Sequence, residues 1–245
     1  MSVLRSERQD SGVLRLWMER PSKRNALSRE LLTELYHAVT KADEQGVRVI
    51  VLAGSGPCFS AGADFAQITG TQADEQYDDL VAELTSAIRN SQAVVVAALH
   101  GVCMGAALDL AMACDLRIAA PNTRFALPAA KVGILYNPES LARIFRALSP
   151  SVCARLLLQA DVLNGSEALA AGIATQLVDE AELDAKTLAI ASNIAGLPQA
   201  AVSAAKQALN AHLDGDFNAQ DWQALRRTLL GSAERHSIIS NINKG

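Results

Sequence analysis

One carboxylate stands among residues that give it no obvious company. Residues 93–114 form a nearly continuous apolar run, and Asp109 falls inside it, within HGVCMGAALDLAMACD (100–115). An unpartnered carboxylate in apolar surroundings is expensive, so Asp109 is either paired or held there for chemistry. Two short stretches of small residues point to a second kind of chemistry. Ser60-Ala61-Gly62-Ala63-Asp64 follows the run Val49–Ala53, and Gly101–Ala106 follows Val94–Leu99. Small residues at strand-to-helix turns let a ligand approach exposed backbone N–H groups. Two such donors aimed at one point stabilise negative charge developing on a carbonyl oxygen. Either turn alone is an ordinary tight turn; the chemistry needs both.

The elements that must position these groups follow from the apolar pattern. Val13–Met18 reads as a strand, with a turn at Pro21-Ser22. Ser28 is placed to cap a helix whose Leu31, Leu35, Ala38, Val39 and Ala42 share one face. Val47–Ala53 is a β-branched strand, residues 54–70 a Gly/Ser-rich loop, and 75–90 a helix. Residues 93–99 read as a buried strand, 105–113 as a helix and Leu116–Ala120 as a strand. Strands alternating with helices predict a parallel, helix-covered sheet, an α/β architecture. Beyond residue 139 the pattern turns helical, with a short strand near Thr175–Val178. From Ala181 three helices are expected, split at Leu197-Pro198 and Asp214-Gly215. Ile190, Ile194, Leu209 and Leu213 on those helices read as exposed apolar residues, which predicts self-association.

Composition narrows the functions. The 245 residues are 50% hydrophobic, 20% charged and 4% aromatic, with a formal net charge of −4 and no dense Lys/Arg run. Nucleic-acid binding has no electrostatic support. The four cysteines form neither a CxxC nor a metal-like cluster with the four histidines, which predicts reduced thiols, no metal and a cytoplasmic setting. Residues 1–8 contain no apolar stretch of the signal-peptide kind. The run 93–114 is long enough to span a membrane. However, Asp109 within it would cost about 2.5–3.5 kcal/mol on insertion, and Val94–Val96 favours a strand where Met104–Ala113 favours a helix. A strand, a tight turn and a buried helix fit better than a span.

The segments CFSAGADF (58–65) and HGVCMGAALDLAMACDLRIAAPNTRFALPAAKVG (100–133) together resemble the crotonase, or enoyl-CoA hydratase/isomerase, family. RPSKRNALS (20–28), LLLQADVLNGSEALAAGIATQLV (156–178) and LPQAAVSAAKQALN (197–210) agree with it in order and spacing. The resemblance implies a crotonase-like spiral of strand–strand–helix turns over residues 1–180. A C-terminal helical segment over 181–245 would build a homotrimer or hexamer. It implies an acyl-CoA thioester as ligand, with coenzyme A as part of the substrate and no separate cofactor. The family's two N–H donors fall on Ala63 and Ala106. The substrate would lie along Lys23, Arg24 and Ala26, along Ala61, Gly62, Ala63, Asp64, Phe65 and Ala66, and against Gly105 and Ala106. Leu135, Tyr136 and the 66–84 segment would line the acyl pocket.

The sequence departs from the family where hydratases carry two glutamates. Asp109 stands at the first position and Ala129 at the second, so two-carboxylate hydration does not carry over. Isomerase branches place one acid farther on, where Asn137 and Glu139 of YNPESLARI compete for the register. Three readings stay open. The first is an isomerase-like or divergent enzyme using Asp109 or Glu139 as acid/base. The second is a non-catalytic acyl-CoA-binding protein on the same fold. The third takes Cys103 and His100 as a thiol nucleophile and its base. As a structural alternative, Asp109 would pair with Arg117 or cap nearby backbone.

Overall fold

The computed structural model describes residues 2–244; Met1 and Gly245, the outer ends of the two expected segments, lie outside the described residues. In chain order the elements are β1 (Leu4–Arg8), β2 (Val13–Met18), α1 (Arg29–Glu44), β3 (Val49–Gly54), α2 (Glu75–Asn90) and β4 (Val94–Leu99). Then come β5 (Val102–Met104), α3 (Ala106–Ala113), β6 (Leu116–Ala119), β7 (Arg124–Ala126), α4 (Ala129–Val132), α5 (Pro138–Ala147) and α6 (Pro150–Leu157). The chain continues through β8 (Val162–Leu163), α7 (Gly165–Ala170), β9 (Gln176–Leu177), α8 (Leu183–Ala195), α9 (Gln199–Asp214), α10 (Trp222–Leu230) and α11 (Ala233–Ile242).

Six strands form one sheet in the order β1-β2-β3-β4-β6-β9, parallel except for the antiparallel edge pair β1/β2. The central strands are apolar at every position because both faces are covered. Ile50 and Leu52 of β3 and Val95, Ala97 and Leu99 of β4 enter the main core with α1, α2 and α3. Val49, Val51, Val94 and Val96 enter a second core on the opposite face. A second, small sheet has the order β5-β7-β8, with β5/β7 parallel and β7/β8 antiparallel.

The apolar run 93–114 is therefore a buried strand, a turn at His100-Gly101, the short strand β5 and the buried helix α3. Among the described residues no single helix is long and apolar enough to cross a membrane.

Two expectations change. The C-terminal region folds as four helices, because Gly231 ends α10 and Ser232 caps α11 by accepting from the Arg235 N–H. Helix α8, at the start of the 181–245 segment, packs on the sheet: Leu183, Ala191 and Ala195 belong to the second core, and Ile190 and Ile194 pack against it. Those two isoleucines are thus half-buried within the chain. Leu213 is half-buried too, whereas Leu209 is 55% exposed. Beyond α8, Lys206 anchors α9 from a buried position. Its ammonium donates to the Ile88 and Ala93 carbonyls at 2.9 and 2.8 Å and pairs with Asp115 at 2.9 Å.

Candidate active site

Both small-residue turns follow parallel strands, and backbone hydrogen bonds fasten them together. Ser60 N–H donates to the Val102 carbonyl at 3.0 Å, and Met104 N–H donates to the Ser60 carbonyl at 3.3 Å. On the other side, Leu27 N–H donates to the Gly62 carbonyl and Asp64 N–H to the Leu27 carbonyl, at 2.8 and 3.3 Å. Gly62 is squeezed between the turns. A side chain there would collide with the Met104 carbonyl, and its Cβ would lie 3.5 Å from the Ala106 nitrogen. Gly105, at φ 58° and ψ −128°, adopts a conformation that L side chains disfavour, and this turns the chain into α3.

Two N–H groups are left over. Ala63 lies between residues whose backbone groups are paired, and its own N–H has no acceptor among the described residues. Ala106 opens α3, so no carbonyl one turn back within the helix receives its N–H. Both residues line one cleft of about 580 Å³. Its walls include Phe65 and Ile68, the N-terminal half of α2, and the stretch Val132–Tyr136. Tyr77 ties α2 to the turns: its buried hydroxyl donates to the Leu27 carbonyl at 2.7 Å.

The acids are distributed differently from the donors. Asp109 is only 2% exposed and is ion-paired. Its Oδ1 accepts from Arg143 Nη2 at 2.5 Å and Nε at 3.2 Å, and its Oδ2 accepts from Ser140 Oγ at 2.6 Å. The partner is Arg143 of α5. Arg117 instead donates to the Ile173 and Cys114 carbonyls at 2.5 and 2.6 Å. Asp109 and Ala106 share a small cavity of about 30 Å³ behind the cleft, together with Asp78, Tyr136 and Ser140. Ala129 lines the cleft, so no acid stands at that position.

The sequence model of the enoyl-CoA hydratase/isomerase family matches residues 8–239. The chain belongs to this family. Among its relatives is the probable enoyl-CoA hydratase echA6 of Mycobacterium tuberculosis, 37% identical over 202 residues, covering 82% of this chain and 80% of that one. The crotonyl-CoA hydratase of Syntrophomonas wolfei is 34% identical over 207 residues, covering 83% and 80%. The crystal structure of an enoyl-CoA hydratase from Thermoplasma volcanium superposes with a TM-score of 0.88 at 28% identity, over 98% of this chain and 97% of that one. The architecture is thus the crotonase-like one the motifs imply.

Against that family pattern, Ala61, Ala63, Phe65, Gly105 and Ala106 line the cleft, as do Leu135 and Tyr136. The Lys23–Ala26 stretch is brought beside it, since Ala61 N–H donates to the Arg24 carbonyl at 2.9 Å, and Lys23 and Arg24 are exposed there. Ala26 is buried, with its carbonyl accepting from Arg20. Gly62 is buried between the turns, and Ala66 is exposed outside the cleft lining. Asp64 is taken up structurally: it pairs with Arg20 at 2.7 Å and caps the turn Phe65–Gln67 through the Ala66 N–H.

Glu139 is not brought to the cleft. It caps nothing there and faces a separate groove with Tyr36, Asp79 and Glu83. Asn137, its competitor, borders the small cavity, and its side chain accepts from the Glu139 N–H at 2.9 Å. The Cys103–His100 pair does not exist as a unit. The Cys103 thiol is buried beside the Ala107 carbonyl, and burial drives its pKa well above the usual value; His100 meets the Gly56 carbonyl.

Proposed function

We propose that this chain binds an acyl-CoA thioester with its carbonyl oxygen between the Ala63 and Ala106 N–H groups, and stabilises the enolate that forms when a neighbouring carbon loses a proton. The observation that carries the reading is the pair of unsatisfied backbone donors, fastened together by the Ser60/Cys103 bridge and opening on one cleft. Fixed donors of this kind need no reorganisation as charge develops, which is why they act on the transition state. The exposed Lys23 and Arg24 beside the cleft suit the phosphates of coenzyme A. With Ala129 in place of a second acid, isomerase-like chemistry by one proton carrier fits better than water addition by two.

The test is α-proton exchange in heavy water over a panel of acyl-CoAs, with binding measured in parallel by calorimetry. Tight binding of thioesters together with deuterium incorporation is expected. The second reading, a binding protein without catalysis, has its own support: Asp109 is held by Arg143 and Ser140, and Glu139 faces another groove. Tight binding without any exchange would establish it. No affinity for acyl-CoA would sink both readings.

The same reading includes assembly as a homotrimer or hexamer. Phe145 and Leu158 on the α5–α6 side, and Leu209 and Ile242 among the C-terminal helices, are 55–79% exposed, an apolar surface a soluble monomer rarely leaves open. Light scattering should give a mass three or six times 25.9 kDa; a monodisperse species at that single mass would refute it.

A further inference from the structure

We infer that Asp78, on α2, is the carboxylate that takes and returns the substrate proton. Resting on the acyl-CoA reading above, this assigns the catalytic role to neither acid that the family register suggests. Asp78 borders the cleft that holds Ala63 and Ala106, and it also borders the small cavity behind Ala106. Of the side chains with an ionisable group, only Tyr136 shares both positions.

The other acids at hand are engaged or solvent-exposed. Asp109 is closed by Arg143 and Ser140. Asp74 accepts from the Thr69 and Gly70 N–H groups at 2.8 Å each, which lowers its pKa and fixes it as a turn cap. Glu75, at the first position of α2, borders the cleft but is exposed and does not line the small cavity behind Ala106. Asp78 is half-buried and accepts no hydrogen bond from any described residue. The Tyr136 hydroxyl is likewise without a partner among the described residues, and it stands 3.4 Å from where a Cβ on Gly105 would be. Two unengaged polar groups thus line the same two spaces as Ala106.

The charges around Asp78 set its proton affinity. Burial raises its pKa, and Asp74 just before α2, Asp79 and Glu75 on α2, and Asp109 on α3 raise it further. Arg143 of α5 faces the same side, but its guanidinium is bound to Asp109 and lies 3.4 Å from Thr85 Oγ1. Tyr136, from the loop before α5, is itself pushed above the usual tyrosine range, by burial first and then by Asp109 and Asp78, so it stays neutral and able to donate. A base that titrates above the ordinary aspartate value, about 3.9, is better matched to carrying a proton near neutral pH.

The step balances without a co-reactant. The Asp78 carboxylate forms an O–H bond with the proton of the carbon beside the thioester. The C–H pair becomes the enolate C=C bond, and the carbonyl π pair moves to the oxygen held by the two N–H groups. Returning the proton to the same carbon gives exchange; returning it to the γ carbon of an unsaturated chain moves the double bond.

The experiment uses the full chain and butyryl-CoA as probe. Asp78→Asn is expected to bind butyryl-CoA with the wild-type affinity and to lose roughly 100- to 10,000-fold in the exchange rate. The wild-type rate should fall as pH drops through a midpoint above the usual aspartate range, and Asp78→Asn should lose that limb. Asp78→Glu should retain measurable exchange with the limb displaced, which separates proton transfer from a structural role. Glu83→Gln, on the same helix but facing the other groove, should exchange like the wild type. Exchange by Asp78→Asn within threefold of wild type overturns the inference, as does an Asp78→Glu profile identical to wild type. Wild type that binds butyryl-CoA without exchanging also overturns it while leaving the binding reading intact. Wild type that fails to bind overturns the acyl-CoA reading first.

Discussion

Ala106→Pro should leave a folded protein whose exchange rate has dropped roughly 100- to 1000-fold, the usual consequence of removing one oxyanion donor. The group concerned is a backbone N–H, so no side-chain truncation can remove it; proline does. Position 106 tolerates proline for three reasons. Ala106 is the first residue of α3, where proline's fixed φ suits the helix and no intrahelical bond is lost. Its N–H donates to no described residue, so the protein itself loses no hydrogen bond. The preceding residue is a glycine at φ 58° and ψ −128°, the mirror image of the extended conformation that residues before proline prefer. Melting should therefore shift little. The new ring projects toward the cleft, so binding of free coenzyme A, which has no acyl carbonyl, is the control for crowding. Unchanged affinity for free coenzyme A with a collapsed exchange rate is the expected pattern. Wild-type exchange in a folded Ala106→Pro protein would show that this N–H does not hold the thioester oxygen.

The turns are legible in the sequence and the surroundings of the acids are not, for a physical reason. A backbone donor is placed by its turn. Gly62 and Gly105 belong to small-residue stretches that come after strongly patterned strands, so the two turns can be read directly, and the family resemblance then puts the donors on Ala63 and Ala106. The buried strands were equally plain, because Val49–Ala53 and Val94–Leu99 are covered on both faces and read as unbroken apolar runs. Strands β5, β7 and β8 have two or three residues each and pair across long separations, too little for any periodicity to register. Strand β1 is exposed at four of its five positions and carries almost no apolar signal.

A side-chain acid, by contrast, is defined by what faces it, and that depends on tertiary packing. Asp109 looked solitary because its partners, Ser140 and Arg143, come from a helix about thirty residues downstream. Arg117 was nearer in sequence, yet its guanidinium is drawn to the Ile173 and Cys114 carbonyls. Glu139 matched a register but occupies the second position of α5, one residue ahead of Ser140. A helix turns 100° per residue, so Ser140 faces inward to Asp109 while Glu139 faces the neighbouring groove. Asp78 lay within the segment expected to line the pocket, among Asp74, Glu75, Asp79 and Glu83. Nothing local distinguishes it from those neighbours; only the approach of α2 to Ala106 and Tyr136 does.

Asp109→Ala should destabilise the protein by about 3–5 kcal/mol, the usual cost of breaking a buried ion pair from one side. Most of that arises from what remains. The Arg143 side chain is 11% exposed, and its Nε and Nη2 both point at Asp109 Oδ1, so the truncation leaves a largely buried cation with the Thr85 and Ser140 hydroxyls but no carboxylate bonded to it. Ser140 Oγ also loses its acceptor. For a domain of this size, a loss of that magnitude lowers the melting temperature by roughly 6–20 °C. The double variant Asp109→Leu with Arg143→Met separates the explanations. If the penalty is an orphaned charge, removing both partners should recover most of the stability, since apolar replacement of a buried pair is often close to neutral. If Asp109 were instead the proton carrier, Asp109→Asn would abolish exchange at little cost in melting temperature. A folded Asp109→Asn protein that still exchanges, alongside an Asp109→Ala protein with a markedly lowered melting temperature, would make the buried aspartate a joint between α3 and α5 that holds Ala106 at the cleft.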